Sequence, residues 1–530
     1  MKGDSLMKEI QIMNFRSLKD TGMQKLSPIT LLVGENSSGK STFLRAFPLL
    51  KQSISKRTSG PILWAGDIDD YVDFGSFEET VTNDGSNDIT FGFKFDIDER
   101  VITRRYYTVG KLEKAELEKL RTKIHYEITI SSDKGKEYVS RLKLRINSSQ
   151  IEFNLEEKSI TTDRNYYYKE PKKTTPMSEN VPDSRIYAGY LFAISRTFGF
   201  ILPDIDRLWQ KTMKEILHPK TKEIAHGLVE ISAEIGLRIS EGEDLVPLAS
   251  TVNGKKYTEV YNNFVSALHA DKSGDLSELF RLCFFYDSFS AIDDYIFNYF
   301  KQVHYIAPLR ATAERYYRLR NLAVDEVDYQ GKNLPVFINS LSNKQLKEFH
   351  LWTEEHFGFT VSTEKKGGHL SLQIKLRESD KKINLSDTGF GYSQVLPIIT
   401  QLWELSSQHK SNVPRYYSIS QSLPMIIAIE QPELHLHPAI QARLAKAFVA
   451  SIDLARKNNC ELQLIIETHS ETIVNYFGRA IARGMLNPED ISLIMFEKDT
   501  AESVTAVKNS SYDKDGFLTN WPYGFFESED

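Results

Sequence analysis

The residues from 34 to 41 carry the clearest chemistry in this sequence. They read GENSSGKS and fit the pattern G-x-x-x-x-G-K-[ST] at every position. Glycines let backbone N–H groups turn towards a phosphate, and a following helix adds the partial positive charge of its N-terminus. The sequence therefore predicts a phosphate-binding loop, with Lys40 on the β- and γ-phosphates and the Ser41 hydroxyl on Mg²⁺. The predicted nucleotide contacts are Gly34, Asn36, Ser37, Ser38, Gly39, Lys40, Ser41 and Thr42.

Two other apolar runs end in polar residues that suit the same chemistry. Residues 425–429 are followed by Glu430, a carboxylate placed to hold Mg²⁺ through water. Residues 462–466 lead to His469, which could reach a γ-phosphate and hold the attacking water, or else be a surface histidine without a catalytic role. His435 and His437 form an H-x-H pair that either binds zinc or edges a loop; the absence of nearby cysteines favours the loop.

These residues need an α/β scaffold to bring them together, and the hydrophobic pattern supplies one. Residues 10–15 and 29–33 are predicted strands, and a helix follows from residue 40 to about 53. Residues 111–123 are predicted to be a charged helix, residues 158–184 a loop, and residues 186–299 a helical insert. An antiparallel sheet is predicted from the alternating segments 89–95, 101–109, 124–130, 141–146 and 151–155. We therefore expect three parts: an N-terminal lobe (1–160), a mostly helical insert (161–300) and a C-terminal α/β lobe (301–530).

The composition limits the environment and the partners. Of 530 residues, only Cys283 and Cys460 are cysteines, which fits a reducing cytoplasm. No apolar run approaches the ~20 residues of a membrane span, so we expect no membrane partner. The formal charge is −6, so nucleic-acid binding would need a local basic patch. The densest candidate, interleaved with tyrosines, is Arg310, Arg315, Arg318 and Arg320, unless these arginines form a solvated face or an internal salt-bridge set.

Taken together, these motifs resemble the ABC-type ATPase heads of the SMC, Rad-fifty, RecF and OLD proteins. Residues 12–18 resemble the opening strand of that superfamily, Glu430 its Walker B acid and His469 its switch histidine. Residues 386–394 look like a variant of the signature motif. The resemblance implies an α/β ABC-ATPase head, with a parallel or mixed P-loop sheet, an antiparallel β subdomain and here a helical insert. It also implies ATP and Mg²⁺ as cofactors and a homodimer or higher homo-oligomer, in which a second copy's nucleotide is contacted by Gly389, Gly391, Ser393 and Gln394.

A closer resemblance is to stand-alone OLD-like ATPases of bacteria, including the Septu-type phage-defence ATPases (PtuA-like), some of them attached to retrons. It is carried by residues 305–310, 387–397, 430–438 and 520–526. It implies a switch subunit that regulates a separate HNH-type nuclease in antiphage defence, with a reverse transcriptase and retron RNA or DNA as further partners. No Toprim-like acidic constellation follows His469, so the chain is not expected to be a nuclease itself.

One departure leaves the turnover open. The family's Walker B strand ends in two acids, but here Gln431 follows Glu430, and glutamine cannot accept a proton from water. Glu433 could substitute if its loop bends inward. Three hypotheses therefore remain: an ATPase switch with slow hydrolysis, a non-hydrolysing ATP-bound scaffold, and a DNA-repair ATPase of the RecF or SMC kind.

Overall fold

The fold is built from two units, each described here by itself. Unit 1 contains Met1–Asn14, Ser53–Leu63 and Asn83–Lys301, and unit 2 contains Phe15–Gln52, Trp64–Thr82 and Gln302–Asp530. The computed structural model describes residues 7–56, 58–67, 70–82, 85, 87–98, 121–154, 159–162, 167–169, 235–236, 238–239, 245–247, 255–272, 274–318, 324, 326–407, 423–499 and 504–522. The predicted division into three parts stays a prediction.

Unit 1 is an antiparallel sheet packed on helices. Its strands are β1 (Met7–Phe15), β5 (Asp88–Asp98), β6 (Arg121–Asp133), β7 (Lys136–Ile146), β8 (Ser149–Asn154), β9 (Ser159–Thr162) and β10 (Tyr167–Lys169), in the spatial order β10-β9-β8-β7-β6-β5-β1. Two helices of this unit are α3 (Lys255–Ala270) and α4 (Asp275–Lys301). Aromatic side chains join the sheet to α4, since Phe95 stacks on Tyr295 with ring centroids 4.3 Å apart. The predicted antiparallel sheet is therefore present.

Two local predictions in unit 1 differ from the structure, and others fall on residues that the structure does not describe. Residues 121–123 of the predicted charged helix belong to β6, because their backbone pairs in register with residues 96–98 of β5. The predicted loop 158–184 contains β9 and β10, whose β-branched and aromatic residues suit a strand. The predicted strand 101–109, the rest of the helix and most of residues 170–254 lie outside the described residues.

Unit 2 is centred on a seven-stranded sheet with the order β11-β16-β17-β4-β18-β19-β20. These strands are β4 (Ile29–Gly34), β11 (Val303–Ile306), β16 (Met425–Glu430), β17 (Leu462–Glu467), β18 (Ile491–Asp499), β19 (Val504–Tyr512) and β20 (Leu518–Thr519). In this sheet β11, β16, β17, β4 and β18 run parallel to one another, whereas β19 and β20 pair antiparallel. Every residue of β4, β16 and β17 is buried, as expected for central parallel strands covered on both faces.

A smaller sheet and the remaining helices complete unit 2. The sheet has the order β12 (Tyr317–Arg318), β14 (His369–Leu376), β13 (Phe359–Lys366), and β15 (Lys382–Asn384) pairs with β14. Two very short strands are β2 (Leu18–Asp20) and β3 (Gln24–Lys25). The helices are α1 (Lys40–Ser55), α2 (Phe77–Thr80), α5 (Leu334–Ser340), α6 (Asn343–Phe357), α7 (Phe390–Ser407), α8 (Pro438–Lys457) and α9 (Glu471–Ala482). In the part of the chain that the structure describes, no helix combines the length and apolar character that crossing a bilayer requires.

Local sequence fixes where the helices near the strand ends begin. The Ser470 hydroxyl accepts a hydrogen bond from the Ile473 amide and caps α9. His437 Nδ1 accepts from the Ala439 amide at 3.2 Å and caps α8, in front of a proline at the first helical position. This capping contact agrees with the interpretation of the histidine pair as a loop edge. The two helices therefore start after short turns, residues 431–437 and 468–470, that follow the strand ends carrying the polar motifs.

Candidate active site

The site begins at the turn between β4 and α1. Gly34 has a φ of +148°, and a Cβ there would lie 2.1 Å from the carbonyl oxygen of Phe496 in β18, so no larger residue fits. At the other end of the loop, the Thr505 hydroxyl donates to the Ser38 carbonyl at 2.9 Å. Neighbouring strands thus hold both ends of the loop in place.

Lys40 is the first residue of α1, and its side chain folds back over the loop. The ammonium donates to the carbonyl oxygens of Gly34, at 3.0 Å, and of Glu35. Burial lowers the pKa of Lys40, and the carboxylates of Glu467, Glu35 and Glu433 oppose that shift. Lys40 is therefore a buried side chain whose ammonium group lies at the loop, next to carbonyl oxygens that a phosphate could replace as its partners.

Three strand ends meet beside the loop because β16, β17 and β4 are parallel neighbours. Glu430 and Glu467 are direct register partners on β16 and β17, and Glu467 is in turn the partner of Leu32 on β4. The Ser41 hydroxyl donates to Glu467 Oε1 at 2.8 Å. Burial, the largest cause, and the nearby Glu430 carboxylate together raise the pKa of Glu467 to about 7, whereas Ser41, Lys40 and Arg45 oppose the shift.

The sequence predicted Mg²⁺ near Glu430, but in the structure its carboxylate is bound by protein side chains. Arg45 of α1 binds it with both nitrogens of its fork, Nε to Oε1 at 2.7 Å and Nη2 to Oε2 at 2.8 Å. The Tyr305 hydroxyl donates to the same Oε1 at 2.7 Å. Both carboxylate oxygens are thus engaged, so the predicted role of Glu430 as a metal ligand stays a prediction. Neither Arg45 nor Glu467 was singled out from the sequence, although both lie within a few residues of a recognised motif.

His469 follows β17 at the rim of the site. Its backbone amide donates to Glu433 Oε1 at 2.7 Å, and the Thr468 hydroxyl donates to Glu433 Oε2 at 2.9 Å. Burial raises the pKa of Glu433. Burial lowers the pKa of His469, and the charge of Lys40 lowers it further, which favours a neutral imidazole at pH 7. Glu433 therefore fastens the turn that carries His469.

A cavity of about 330 Å³ lies between these groups, near the lower end of the ~300–1,000 Å³ usual for ligand sites. It brings together the loop, Gln431, Glu467 and His469, and its lining includes neither Glu430 nor Glu433. The sequence did not indicate two further lining residues, Arg16 and Ser17. Gln431 has a φ of +41°, so a residue that rarely adopts this conformation turns the chain into the site.

The donors here fit Mg²⁺. The Ser41 hydroxyl and the Glu467 carboxylate are hard oxygen groups, and Glu467 Oε2 is buried with no hydrogen-bond partner among the described residues. The described residues contain no cluster of three or more His, Cys, Asp or Glu side chains suited to a metal, so this cation would depend on phosphate oxygens and water as further ligands.

The predicted signature motif lies at the start of α7, outside the lining of the cavity. Gly389 is exposed with open space around it, and Gly391 is partly buried against the turn at His435. Ser393 and Gln394 are buried, however, and the Gln394 amide donates to the Arg310 carbonyl at 3.5 Å. The prediction that these two side chains contact nucleotide does not fit their burial, because they lie on the face of α7 that packs into the core.

Three of the candidate nucleic-acid arginines lie among the described residues, and two of these three are on the surface. Arg310 is 5% exposed, and its Nη2 donates to the carbonyl oxygens of Glu430 and Gln431, at 3.0 and 3.3 Å. Burial lowers its pKa to about 10. Arg310 therefore holds the end of β16 from a buried position, and its contact with nucleic acid stays a prediction. Arg315 lies in a loop and Arg318 in β12, and both are exposed; Arg320 is outside the described residues.

Comparison with known proteins agrees with this geometry. Residues 7–474 match the family model described as AAA ATPase domain. The chain belongs to this ATPase family. Residues 486–530 match a second family, described as a protein of unknown function (DUF3696). The P-loop ATPase assignment and the α/β fold class, with a mixed P-loop sheet and an antiparallel β subdomain, are thereby confirmed.

Solved structures similar to this ATPase include an SMC head bound to the C-winged helix domain of ScpA, with 10% identity over 96% of this chain and 98% of that chain. Another is the SMC head domain from Thermotoga maritima, with 11% identity over 95% and 98%. Both have a TM-score of 0.33, so the fold assignment rests on the family match and the strand order instead. No curated protein matches the chain.

Proposed function

We propose that this ATPase binds ATP with Mg²⁺ and hydrolyses it slowly, so that the bound nucleotide acts as a switch. One observation carries the proposal: a single cavity brings the phosphate loop, with Lys40 and Ser41, to the strand ends that present Gln431 and His469. Lys40 and the loop amides would hold the phosphates at the N-terminus of α1. Mg²⁺, when bound, offsets the charge that develops on the phosphate oxygens during transfer.

Slow turnover follows from the groups that could position water. Gln431 lines the cavity and can accept a hydrogen bond from a water molecule, but it cannot take its proton. Glu433 could take a proton, but its two oxygens are engaged by Thr468 and the His469 amide. The neutral His469 imidazole can hold the water. Weak general-base assistance therefore supports a long-lived ATP-bound state.

Phosphate release by the wild type, Lys40→Ala and Glu433→Gln tests this proposal. We expect slow release by the wild type, loss of release in Lys40→Ala, and most of the wild-type rate in Glu433→Gln, because glutamine can still bond the same turn. Wild-type release no faster than that of Lys40→Ala would contradict the switch and favour the non-hydrolysing scaffold. Loss of release in Glu433→Gln would identify Glu433 as the base.

We further propose that two copies close over ATP, each offering the start of α7 to the other's nucleotide. The exposed Gly389 supports this, because a helix N-terminus beside open space can approach a phosphate. Light scattering with and without a non-hydrolysable ATP analogue tests it. We expect the analogue to produce dimers of the wild type and not of Gly389→Asp, whose added charge would repel the phosphate. Monomers in the presence of bound analogue would contradict this step.

The biological setting we propose is antiphage defence in the cytoplasm, with this ATPase regulating a separate HNH-type nuclease. Its support is the resemblance of residues 305–310, 387–397 and 430–438 to Septu-type ATPases. A nuclease gene beside this one, with or without a reverse transcriptase and retron, and co-purification of its product would support the setting. A neighbourhood of recombination genes, with no such nuclease, would contradict it.

A second candidate function, a DNA-contacting ATPase, is favoured by the outer face of the small sheet. Arg318 pairs with His369, and His369 with Lys366, so three exposed basic side chains share one line across β12, β14 and β13. The exposed Tyr316 ring lies 6.5 Å from the His369 ring. Cations beside an exposed aromatic ring suit phosphates and stacked bases of a single strand.

Fluorescence anisotropy with a single-stranded oligonucleotide tests this second candidate. Arg318→Glu and Lys366→Glu should each weaken binding and reduce its salt dependence, whereas Lys344→Glu, exposed elsewhere on α6, should leave both unchanged. Equal affinity of all four proteins would remove this face from consideration.

A further inference from the structure

We propose that Glu467, together with Ser41, binds the nucleotide-associated Mg²⁺, whereas Glu430 serves as the buried partner of Arg45. The inference rests on the proposed ATP–Mg²⁺ binding and names a metal ligand that the motif pattern assigns elsewhere. Three features of the described residues carry it: strand position, the partners of each carboxylate, and the orientation of the Ser41 hydroxyl.

Strand order places Glu467 nearer to the phosphate loop than Glu430. β17 is the direct neighbour of β4, and β16 lies one strand further away. Adjacent strands are about 4.8 Å apart, so Glu430 is roughly one such step further from the loop than its register partner Glu467. The contact with Ser41 reflects this difference, since it joins α1 to Glu467.

The two carboxylates also differ in the capacity that remains to them. The Arg45 guanidinium donates to both carboxylate oxygens of Glu430, and the Tyr305 hydroxyl donates to one of them. Glu467 accepts one hydrogen bond on Oε1, while Oε2 is buried without a partner among the described residues, in a side chain that is 2% exposed and lines the cavity. A buried carboxylate oxygen needs a donor or a cation, and a bound metal ion would supply it.

The charges favour the same choice. The guanidinium of Arg45 lies against Glu430 and would repel a divalent cation placed there. The Ser41 hydroxyl directs its hydrogen to Glu467, so the lone pairs of its oxygen stay available to a metal ion. One carboxylate and one hydroxyl, completed by phosphate oxygens and water, is a ligand set that Mg²⁺ adopts in nucleotide sites.

The test uses the purified full chain, Mn²⁺ in place of Mg²⁺, and a fluorescent non-hydrolysable ATP analogue. The measured quantity is the metal-dependent gain, the ratio of analogue affinity with Mn²⁺ to that in EDTA; electron paramagnetic resonance counts the bound Mn²⁺. Glu467→Gln keeps the shape and the contact with Ser41, so we expect a folded protein whose gain falls about 10- to 100-fold. Glu467→Asp should recover part of the gain.

The matched control is Glu471→Gln, an exposed residue in the first turn of α9, which should keep the wild-type gain. Glu430→Gln should keep most of the gain while lowering the melting temperature. An unchanged gain in Glu467→Gln, or a loss of it in Glu430→Gln alone, would overturn the inference. A wild type that binds the analogue no better than Lys40→Ala would instead refute the proposed function, so the two failures are distinguishable.

Discussion

The ends of β16 and β17 present two glutamates at the same register position, and the surroundings of the two differ. Glu430 is held by Arg45 and Tyr305 and does not line the cavity, whereas Glu467 does line it and has one oxygen without a hydrogen-bond partner in the described part of the chain. Like charges on adjacent strands repel, and the hydrogen bonds of Arg45 go to Glu430. Position within a motif therefore does not decide which carboxylate is free to bind a ligand; the neighbouring side chains do.

The largest expected effect on stability comes from removing Arg45, the cationic partner of Glu430 at the end of β16. Arg45→Ala leaves the Glu430 carboxylate buried with only Tyr305, and breaking such a pair costs about 3–5 kcal/mol. Because the Arg45 side chain is 37% exposed, we expect about 3 kcal/mol, measured by urea unfolding. Arg479→Ala, an exposed arginine of α9, should change stability by less than about 0.5 kcal/mol. Equal effects of both variants would mean that the ion pair is not needed.

Glu467, at the end of β17, should make the stability of the protein depend on pH. The pKa of Glu467 is raised to about 7 by folding, from an ordinary value near 4.5, so in this interval the folded state binds the proton that the unfolded state has released. Stability then falls as pH rises from about 4.5 to 7. At ~1.4 kcal/mol per pKa unit the loss is on the order of 3 kcal/mol. Metal-free unfolding at several pH values should show it in the wild type and a flatter profile in Glu467→Gln.

The test is whether the pH profiles of the wild type and of Glu467→Gln differ in slope between pH 4.5 and 7. If Glu467→Gln and the wild type lose stability in parallel across this window, Glu467 does not titrate as its surroundings require. Glu471→Gln should follow the wild-type profile.

A smaller effect is expected from Tyr305→Phe, which removes one hydrogen bond to Glu430 and keeps the ring. The Tyr305 ring also stacks on Tyr329, with centroids 6.1 Å apart, so packing is retained. A hydrogen bond to a charged group contributes ~1.5–3 kcal/mol, and Arg45 still satisfies the carboxylate, so we expect about 1.5 kcal/mol by urea unfolding. A loss as large as that of Arg45→Ala would assign the tyrosine a larger share than its contact predicts.

The smallest effect on stability is expected from an exposed ion pair that lies away from the ends of β16 and β17. Arg315 and Asp387 form an ion pair at 2.5 Å, with side chains 57% and 44% exposed. Such surface pairs contribute ~0–1 kcal/mol, so Arg315→Ala should change unfolding stability by less than about 1 kcal/mol. Lys375→Ala, which breaks a pair with the fully exposed Asp380, provides a matched surface comparison. A cost near that of Arg45→Ala would remove the contrast between buried and exposed pairs.

Much of the fold could be predicted from local pattern alone. The phosphate loop is contiguous, and three predominantly apolar runs mark the strands that surround it, so the turn from β4 to α1 could be located without coordinates. The antiparallel sheet of unit 1 followed from alternation. Residues 159–162 were missed as a strand because four residues offer too little periodicity. The burial of Arg310 could not be predicted because a run of arginines does not reveal which of them folds inwards.

By itself, the sequence determined which chemistry is available: a glycine turn ending in Lys40 and Ser41, glutamates at the ends of apolar runs, and Gln431 directly after Glu430. Only the tertiary structure decided which glutamate faces the loop. That choice depends on the order of parallel strands and on α1, which carries Ser41 to one carboxylate and Arg45 to the other. Contacts between residues 426 and 385 positions apart leave no local pattern, because chain order and spatial order differ in a parallel sheet.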